Sequence, residues 1–291
     1  MGLRLQTPCL PDFPDCVSSA DLFSSLIYAM TPITSSQNPL VKQLRHLGQS
    51  SRARSAQGLF LVEGTHGLTE AIATTYPLDL ICCTEAWLAK HHQLLEQTQV
   101  ELQILSTAAL KAITTTHTPD GVVAVAKIYP QPLPQIKQLA FALETIQDPG
   151  NLGTLIRVAA AVGLDAVIVS HDSVDIYHPK ILRATAGQWF RHPPLVSDHL
   201  TTTLQQYQSR GLQLVTTLAQ ANCCYWEYDF RQPTVIVLGN EGQGISAAVR
   251  QLSDQSVKIP LAPGVESLNV GVCGAILGYE ARRQISLASK Q

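Results

Sequence analysis

The chain has 291 residues, 45% of them hydrophobic and 14% charged, with a formal net charge of -2 at pH 7. That is enough apolar material for two modest cores, given domains of about 100 to 200 residues. It excludes a global attraction to polyanions, although a local basic face fits inside a near-neutral total, and polar residues cut every hydrophobic run short of the roughly 18 apolar residues of a membrane span.

Residues 1–29 hold one basic residue, three prolines and no sustained apolar core, which fails the signal-peptide pattern and reads as a disordered extension. Met30 stands just before TPITSSQNPLVKQL, where ordered sequence is expected to begin, and an upstream start-codon assignment would explain the preceding segment. From residue 39 the period alternates. PLVKQLRHL reads as a helix, FLVEG as a strand, HGLTEAIATT as a helix and LDLICCT as a strand, followed by VELQILS, TAALKAI and VVAVAKI. A small α/β unit over residues 30–128 is predicted. YPQPLPQIK, residues 129–137, has three prolines, whose fixed φ and missing donors suit a linker.

Beyond it LAFALETI, DAVIVS, LQLVTTL, TVIVLG and SVKIP are short apolar strands separated by helix-compatible segments. Over residues 139–291 this predicts a parallel sheet covered by helices. Neither half carries G-x-G-x-x-G after its first strand or G-x-x-x-x-G-K-[ST], so dinucleotide and P-loop readings lose their support. Seven cysteines, including the adjacent pairs Cys82-Cys83 and Cys223-Cys224, lack C-x-x-C spacing, which suits a reducing cytoplasm. Nine histidines lack an H-E-x-x-H pattern, and no metal is expected.

Charge is uneven near the start: residues 31–62 hold Lys42, Arg45, Arg52 and Arg54 and no acidic residue. Phosphate contact and an ordinary solvated helix and loop fit that composition equally.

Chemistry is expected at the carboxyl ends of the later strands, where open parallel sheets bind ligands. In ETIQDPGNLGTLIR, Asp-Pro-Gly-Asn is a turn, Asn151 is placed to cap the next helix, and Gly153 and Arg157 share one helix face, leaving room for a phosphate or ribose. A lone arginine in such a place more often pairs with an acidic neighbour. In VIVLGNEGQGIS, Gly239, Gly242 and Gly244 permit tight turns around Glu241, as a plain strand-to-helix connection also would. VKIPLAPGVESLNVGVCGAILGYEARRQ passes from a strand into a long apolar helix whose small residues Gly271, Gly274, Ala275 and Gly278 suit core packing, an interface or a cofactor wall.

In order, these segments resemble the three motifs of the SpoU, or TrmH-like, group of SPOUT RNA methyltransferases: Asn151, Gly153 and Arg157; Gly239, Glu241 and Gly244; Ile259, Pro260 and Ser267 to Val270. KILRATAGQWFRHPP resembles the family's connecting segment with Thr185 in place of a serine, and ITSSQNPLVKQLRHL with FLVEG resembles a ribosomal-protein-like substrate-binding domain. The resemblance implies a SPOUT α/β domain with a deep trefoil knot preceded by a smaller α/β domain, and a homodimer with cofactor sites near its interface. Knotting is nowhere in the periodicity, and general topology rules argue against it.

The implied activity is methyl transfer from S-adenosylmethionine to a ribose 2′-hydroxyl, first in 23S ribosomal RNA and second in transfer RNA. By the same resemblance Arg157, Asn151, Glu241, Ser267 and Asn269 serve catalysis. Leu238, Gly239, Asn240, Gly242, Ile259, Leu261, Ser267 and Leu268 hold the cofactor, and Lys42, Arg45, Arg52, Arg54 and Glu63 meet RNA. A guanidinium keeps its proton to above about pH 12, so Arg157 is expected to orient the hydroxyl and stabilise developing alkoxide charge. Two departures stand out: Gly271 replaces a common serine, and Pro263 occupies a frequent glycine position. A catalytically inactive RNA-binding relative and an unrelated nucleotide-dependent dehydrogenase are the competing readings.

Overall fold

The alternating periods build two sheets. The structure, a computed structural model, describes residues 31–288; the extension expected over residues 1–29 lies outside them. The first sheet is formed within α1 (Pro39–Gln49), α2 (Ser51–Gln57), β1 (Leu59–Glu63), α3 (Thr65–Ala73), β2 (Leu78–Cys83), α4 (Glu85–Leu95), β3 (Glu101–Ile104), α5 (Thr107–Ile113) and β4 (Val122–Lys127). Its order is β1-β4-β2-β3, with β4 antiparallel to β1 and β2 and β3 parallel to β2. Helix α1 begins where Asn38 accepts the Leu40 N–H and Pro39 supplies a preset φ, and it buries Val41, Leu44 and Leu47 on one stripe. Cys82 and Cys83 are fully buried in this sheet, and desolvation pushes both thiols up to about 12.

Residues 128–138 form no helix or strand, yet they are tied down. The Tyr207 hydroxyl donates to Pro134 O at 2.9 Å, and one Asp165 oxygen accepts the N–H groups of Lys137, Gln138 and Leu139.

The second sheet is formed within β5 (Leu139–Leu143), α6 (Pro149–Val162), β6 (Ala166–Ser170), α7 (Pro179–Ala184), α8 (Gln188–Arg191), β7 (Leu195–Ser197), α9 (Leu200–Ser209), β8 (Gln213–Thr217), β9 (Cys223–Cys224), β10 (Thr234–Leu238), α10 (Ala247–Leu252), β11 (Gln255–Lys258) and α11 (Val270–Ala288). Every pairing is parallel and the order is β7-β6-β5-β10-β8-β11-β9. Strands β5 and β10 lie side by side and are buried throughout. That explains their unbroken apolar sequence. The carboxyl ends of these two central strands therefore open on the same crevice, the usual ligand position in such sheets. Strands β7 and β9, of three and two residues, are too short to carry a period.

From Ile33 onward the described residues pack as one unit. The segment between β6 and β7 lies on the first sheet. Arg54, 2% exposed, pairs with Asp175 at 2.6 Å, Arg183 pairs with Glu63 at 2.7 Å, and Phe60 contacts the rings of Tyr177 and Trp189. Among the described residues no helix is long and apolar enough to cross a membrane.

Candidate active site

The start of α6 places the first motif. Asp148, not Asn151, is the cap: its carboxylate accepts the Asn151 N–H at 2.9 Å. Pro149 takes the first helical position, where a missing N–H costs nothing. That backbone bond holds the Asp148 carboxyl below its ordinary 3.8. Moving the cap to Asp148 frees the Asn151 side chain for longer-range contacts.

Those contacts join all three motifs. Asn151 Nδ2 donates to Glu241 Oε1 at 2.6 Å, and Asn151 Oδ1 accepts from Asn269 Nδ2 at 2.8 Å. Asn269 Oδ1 in turn accepts the Gly271 N–H at 2.9 Å at the start of α11. This last bond fixes every amide orientation: an oxygen facing the helix N–H leaves the Asn269 amide as donor, which makes Asn151 Oδ1 the acceptor and leaves Asn151 Nδ2 for the carboxylate. The expected catalytic residues Asn151, Glu241 and Asn269 thus form one polar chain.

Beside the chain lies a cleft of about 340 Å³, within the usual range of about 300–1,000 Å³ for small-molecule sites. All eight residues expected to hold a cofactor line it: Leu238, Gly239, Asn240, Gly242, Ile259, Leu261, Ser267 and Leu268. Glu241 lines it as well. The glycine loop needs its glycines, because a Cβ at Gly239 would lie 2.5 Å from Gly244 C and O, while Gly244 itself has φ +70°. Asn240 closes the turn by accepting the Gly242 and Gln243 N–H groups at 2.8 and 2.9 Å.

Thr217, Leu218 and Ala219, at the end of β8, and Cys273 on α11 also line the cleft. The sequence motifs do not mark these four, although the rule that ligands meet strand ends applies to β8 as it does to β10.

Arg157 stands apart. It is exposed, and among the described residues it makes no hydrogen bond or ion pair with an acidic neighbour. Six residues along α6 from Asn151, it lies about 120° around the helix and about 9 Å along its axis. The space expected beside Gly153 is filled: a Cβ there would meet Ala184 Cβ at 2.5 Å, so this glycine serves helix packing against α7. Gly274 likewise admits Leu155 and Leu238.

Both departures have local reasons. A Cβ at Gly271 would lie 2.9 Å from Thr154 Cγ2 and 3.1 Å from Asn269 Oδ1. Pro263 precedes Gly264 at φ +85° in a turn closed by Val265 N–H to Ala262 O. That pairing of proline then positive-φ glycine is the signature of a type II turn.

The residues expected on RNA divide. Lys42 and Arg52 are exposed. Arg54 is committed to the fold by Asp175 and by donation to Leu47 O at 2.7 Å. Arg45 donates to Ala112 O and Ser36 O, and the buried Glu63 binds Arg183 and the Thr115 N–H. Burial without a partner would be costly, so these three spend their polar atoms within the protein. Among the described residues no cluster of three potential metal ligands occurs.

The sequence pattern of the SpoU rRNA Methylase family matches residues 138–279. A protein of Bacillus subtilis named 23S rRNA (guanosine(2553)-2′-O)-methyltransferase RlmP is 32% identical, over 87% of this chain and 100% of its own length. The chain belongs to the SpoU family. It is thus an RNA methyltransferase, with S-adenosylmethionine as its cofactor. A pattern described as the MRM3-like substrate binding domain covers residues 38–124. A Synechocystis protein named as a tRNA/rRNA methyltransferase is 42% identical over 88% of this chain and 95% of its own. The crystal structure of the SpoU methyltransferase AviRb from Streptomyces viridochromogenes in complex with AdoMet superposes with a TM-score of 0.79 at 28% identity, covering 85% of this chain and 98% of that one.

The cleft fits the SpoU cofactor. Its lining is largely apolar side chain and glycine backbone, able to enclose a nucleoside and give and accept hydrogen bonds without dense charge.

Proposed function

We propose that the protein methylates a ribose 2′-hydroxyl in 23S ribosomal RNA. The observation that carries this reading is the convergence of Glu241, Asn151 and Asn269 beside the cleft lined by the glycine loop and the Ser267–Leu268 segment. The Bacillus relative, named for 23S rRNA and matched along its full length, supports ribosomal over transfer RNA.

Bound S-adenosylmethionine supplies an activated methyl group. The polar chain fixes the Glu241 carboxylate and the Ser267–Asn269 loop around it. Arg157, exposed and without a partner among the described residues, would donate to the target oxygen and stabilise negative charge on it as the hydroxyl proton passes to solvent water. Much of the acceleration then comes from placement of the reacting atoms.

The face that presents Arg157 suits a second copy of the chain. Thr154, Arg157 and Ala161 are exposed on α6, and Val272 and Tyr279, 46% and 56% exposed, lie on the adjoining α11. A homodimer covering this face would let Arg157 reach the partner's cleft. The proposed trefoil knot is supported by α11, which follows the outlying strand β11 yet returns to seat Gly274 against Leu155 of α6 and Leu238 of β10. Unpaired thiols at all five described cysteines suit the cytoplasm.

The test is methyl incorporation from labelled S-adenosylmethionine into total RNA of a strain lacking the gene. One alkali-resistant position in 23S RNA is expected; cofactor binding without incorporation would favour an inactive RNA-binding relative. Arg157→Ala should keep cofactor affinity and lose turnover. Mixing it with Glu241→Gln should restore activity if Arg157 acts across the dimer, and restore nothing if it acts within one chain.

A further inference from the structure

Thr145 has φ +55°, a left-handed conformation that is a genuine outlier for a β-branched residue. It sits between the end of β5 and the cap of α6, and three hydrogen bonds grip it. Its N–H donates to Ser170 Oγ at 2.8 Å, its hydroxyl donates to Asp172 Oδ2 at 2.8 Å, and its carbonyl accepts from Asn240 Nδ2 at 2.8 Å. The third bond matters most for the cleft, because Asn240 closes the glycine loop.

The hydroxyls behind Thr145 have a forced direction. Ser173 Oγ accepts the Ile146 N–H at 3.0 Å, and because the one proton of Ser170 goes to Asp172, Ser173 is the donor of the bond to Ser170 Oγ. Ser170, already accepting from Thr145, donates to Asp172 Oδ1 at 2.5 Å. Both carboxylate oxygens of Asp172 therefore end a run of donors. The Ser170 bond, reinforced by Thr145, keeps this carboxyl below its ordinary 3.8 against the opposing effect of partial burial.

We infer that Asp172 is a positioning residue for the cofactor loop: it locks Thr145 in the left-handed conformation so that the Thr145 carbonyl holds Asn240 in place. The inference rests on the reading of residues 239–246 as part of the cofactor cleft. Asp172 touches neither cofactor nor RNA in this role. Strain of this kind persists only where the surroundings over-determine it, and it concentrates at functional sites.

The discriminating variant is Asp172→Asn, which keeps the shape but replaces one acceptor by a donor, so one of the two hydroxyl protons loses its partner. S-adenosylhomocysteine binding by calorimetry should weaken about tenfold, the fold-change equivalent of one net hydrogen bond. Amide exchange should quicken in residues 239–246 by more than any fall in the urea midpoint accounts for. Adding Thr145→Gly should recover both, because glycine takes positive φ without side-chain help. Wild-type affinity and exchange in Asp172→Asn, or a loss that Thr145→Gly leaves untouched, would overturn the inference. If wild-type protein fails to bind S-adenosylhomocysteine, the cofactor reading itself falls, while the exchange rates still report whether Asp172 holds the loop.

Discussion

Asn269 donates its side-chain amide to Asn151 at 2.8 Å across 118 residues of sequence, and that bond fixes which end of Asn151 faces Glu241. Asn151→Asp should therefore be far from conservative. The new carboxylate still accepts from Asn269 but meets the Glu241 carboxylate where an amide donated at 2.6 Å, and two such groups do not both ionise cheaply at that distance. Methyl transfer should fall about ten- to a hundredfold, the scale of losing a hydrogen bond to a charged group. Adding Glu241→Gln should relieve the repulsion by restoring a donor, read as a recovered urea midpoint, without restoring transfer, because Glu241 itself serves the site. Single-turnover transfer rates would show the loss; an unaffected Asn151→Asp rate would detach the polar chain from catalysis.

Arg52 and Arg54 are two residues apart and should behave oppositely. Arg54→Ala leaves Asp175 without its 2.6 Å partner in a nearly buried pair. The cost should be about 3–5 kcal/mol in unfolding free energy, and adding Asp175→Ala should cost less than the sum of the two. Arg52 is exposed, so Arg52→Ala should leave stability unchanged and reduce the salt dependence of RNA binding. Urea titration and binding isotherms at several salt concentrations separate the two.

The same pair shows what the sequence carried. An acid-free basic run is visible in composition, but which cation meets phosphate depends on partners distant in sequence, and Asp175 is 121 residues from Arg54. Strands β5 and β10 were legible because buried parallel strands are apolar throughout. The cofactor cleft was legible residue by residue only through the family's ordered motifs. The Asn151 cap was misplaced for a local reason: Asp148 followed by Pro149 is the better helix start, and both residues offer capping oxygens. Arg157 was legible as a lone cation, whereas its direction away from Asn151 follows from six steps of helical rotation.

Gly153 was expected to open space for a ligand and instead admits Ala184, whose Cβ would lie 2.5 Å from an added Cβ. Gly153→Ala should thus overpack the α6–α7 contact by about 1–3 kcal/mol. The double variant with Ala184→Gly should regain most of that stability, because one methyl is exchanged for the other. A Gly153→Ala protein of normal stability with impaired ligand binding would reinstate the ligand reading.

Asp148 links pH to the site. Its carboxylate accepts the Asn151 N–H at 2.9 Å and lies 3.7 Å from Lys180 Nζ, and the backbone bond holds its folded-state value below the ordinary 3.8. A depressed carboxyl contributes stability that is present above the ordinary value and lost as pH falls through the lower, folded-state value. Asp148→Ala should cost about 0.5–2 kcal/mol at neutral pH, as for other lost helix caps, and should slow methyl transfer by loosening Asn151. Asp148→Asn keeps a capping oxygen but no charge, so its deficit against wild type should hold steady through neutral pH and shrink as pH drops below 3.8. Denaturant titrations across that range decide the sign: a deficit that grows on acidification would mean that folding disfavours the charged carboxylate, contrary to its hydrogen bonding.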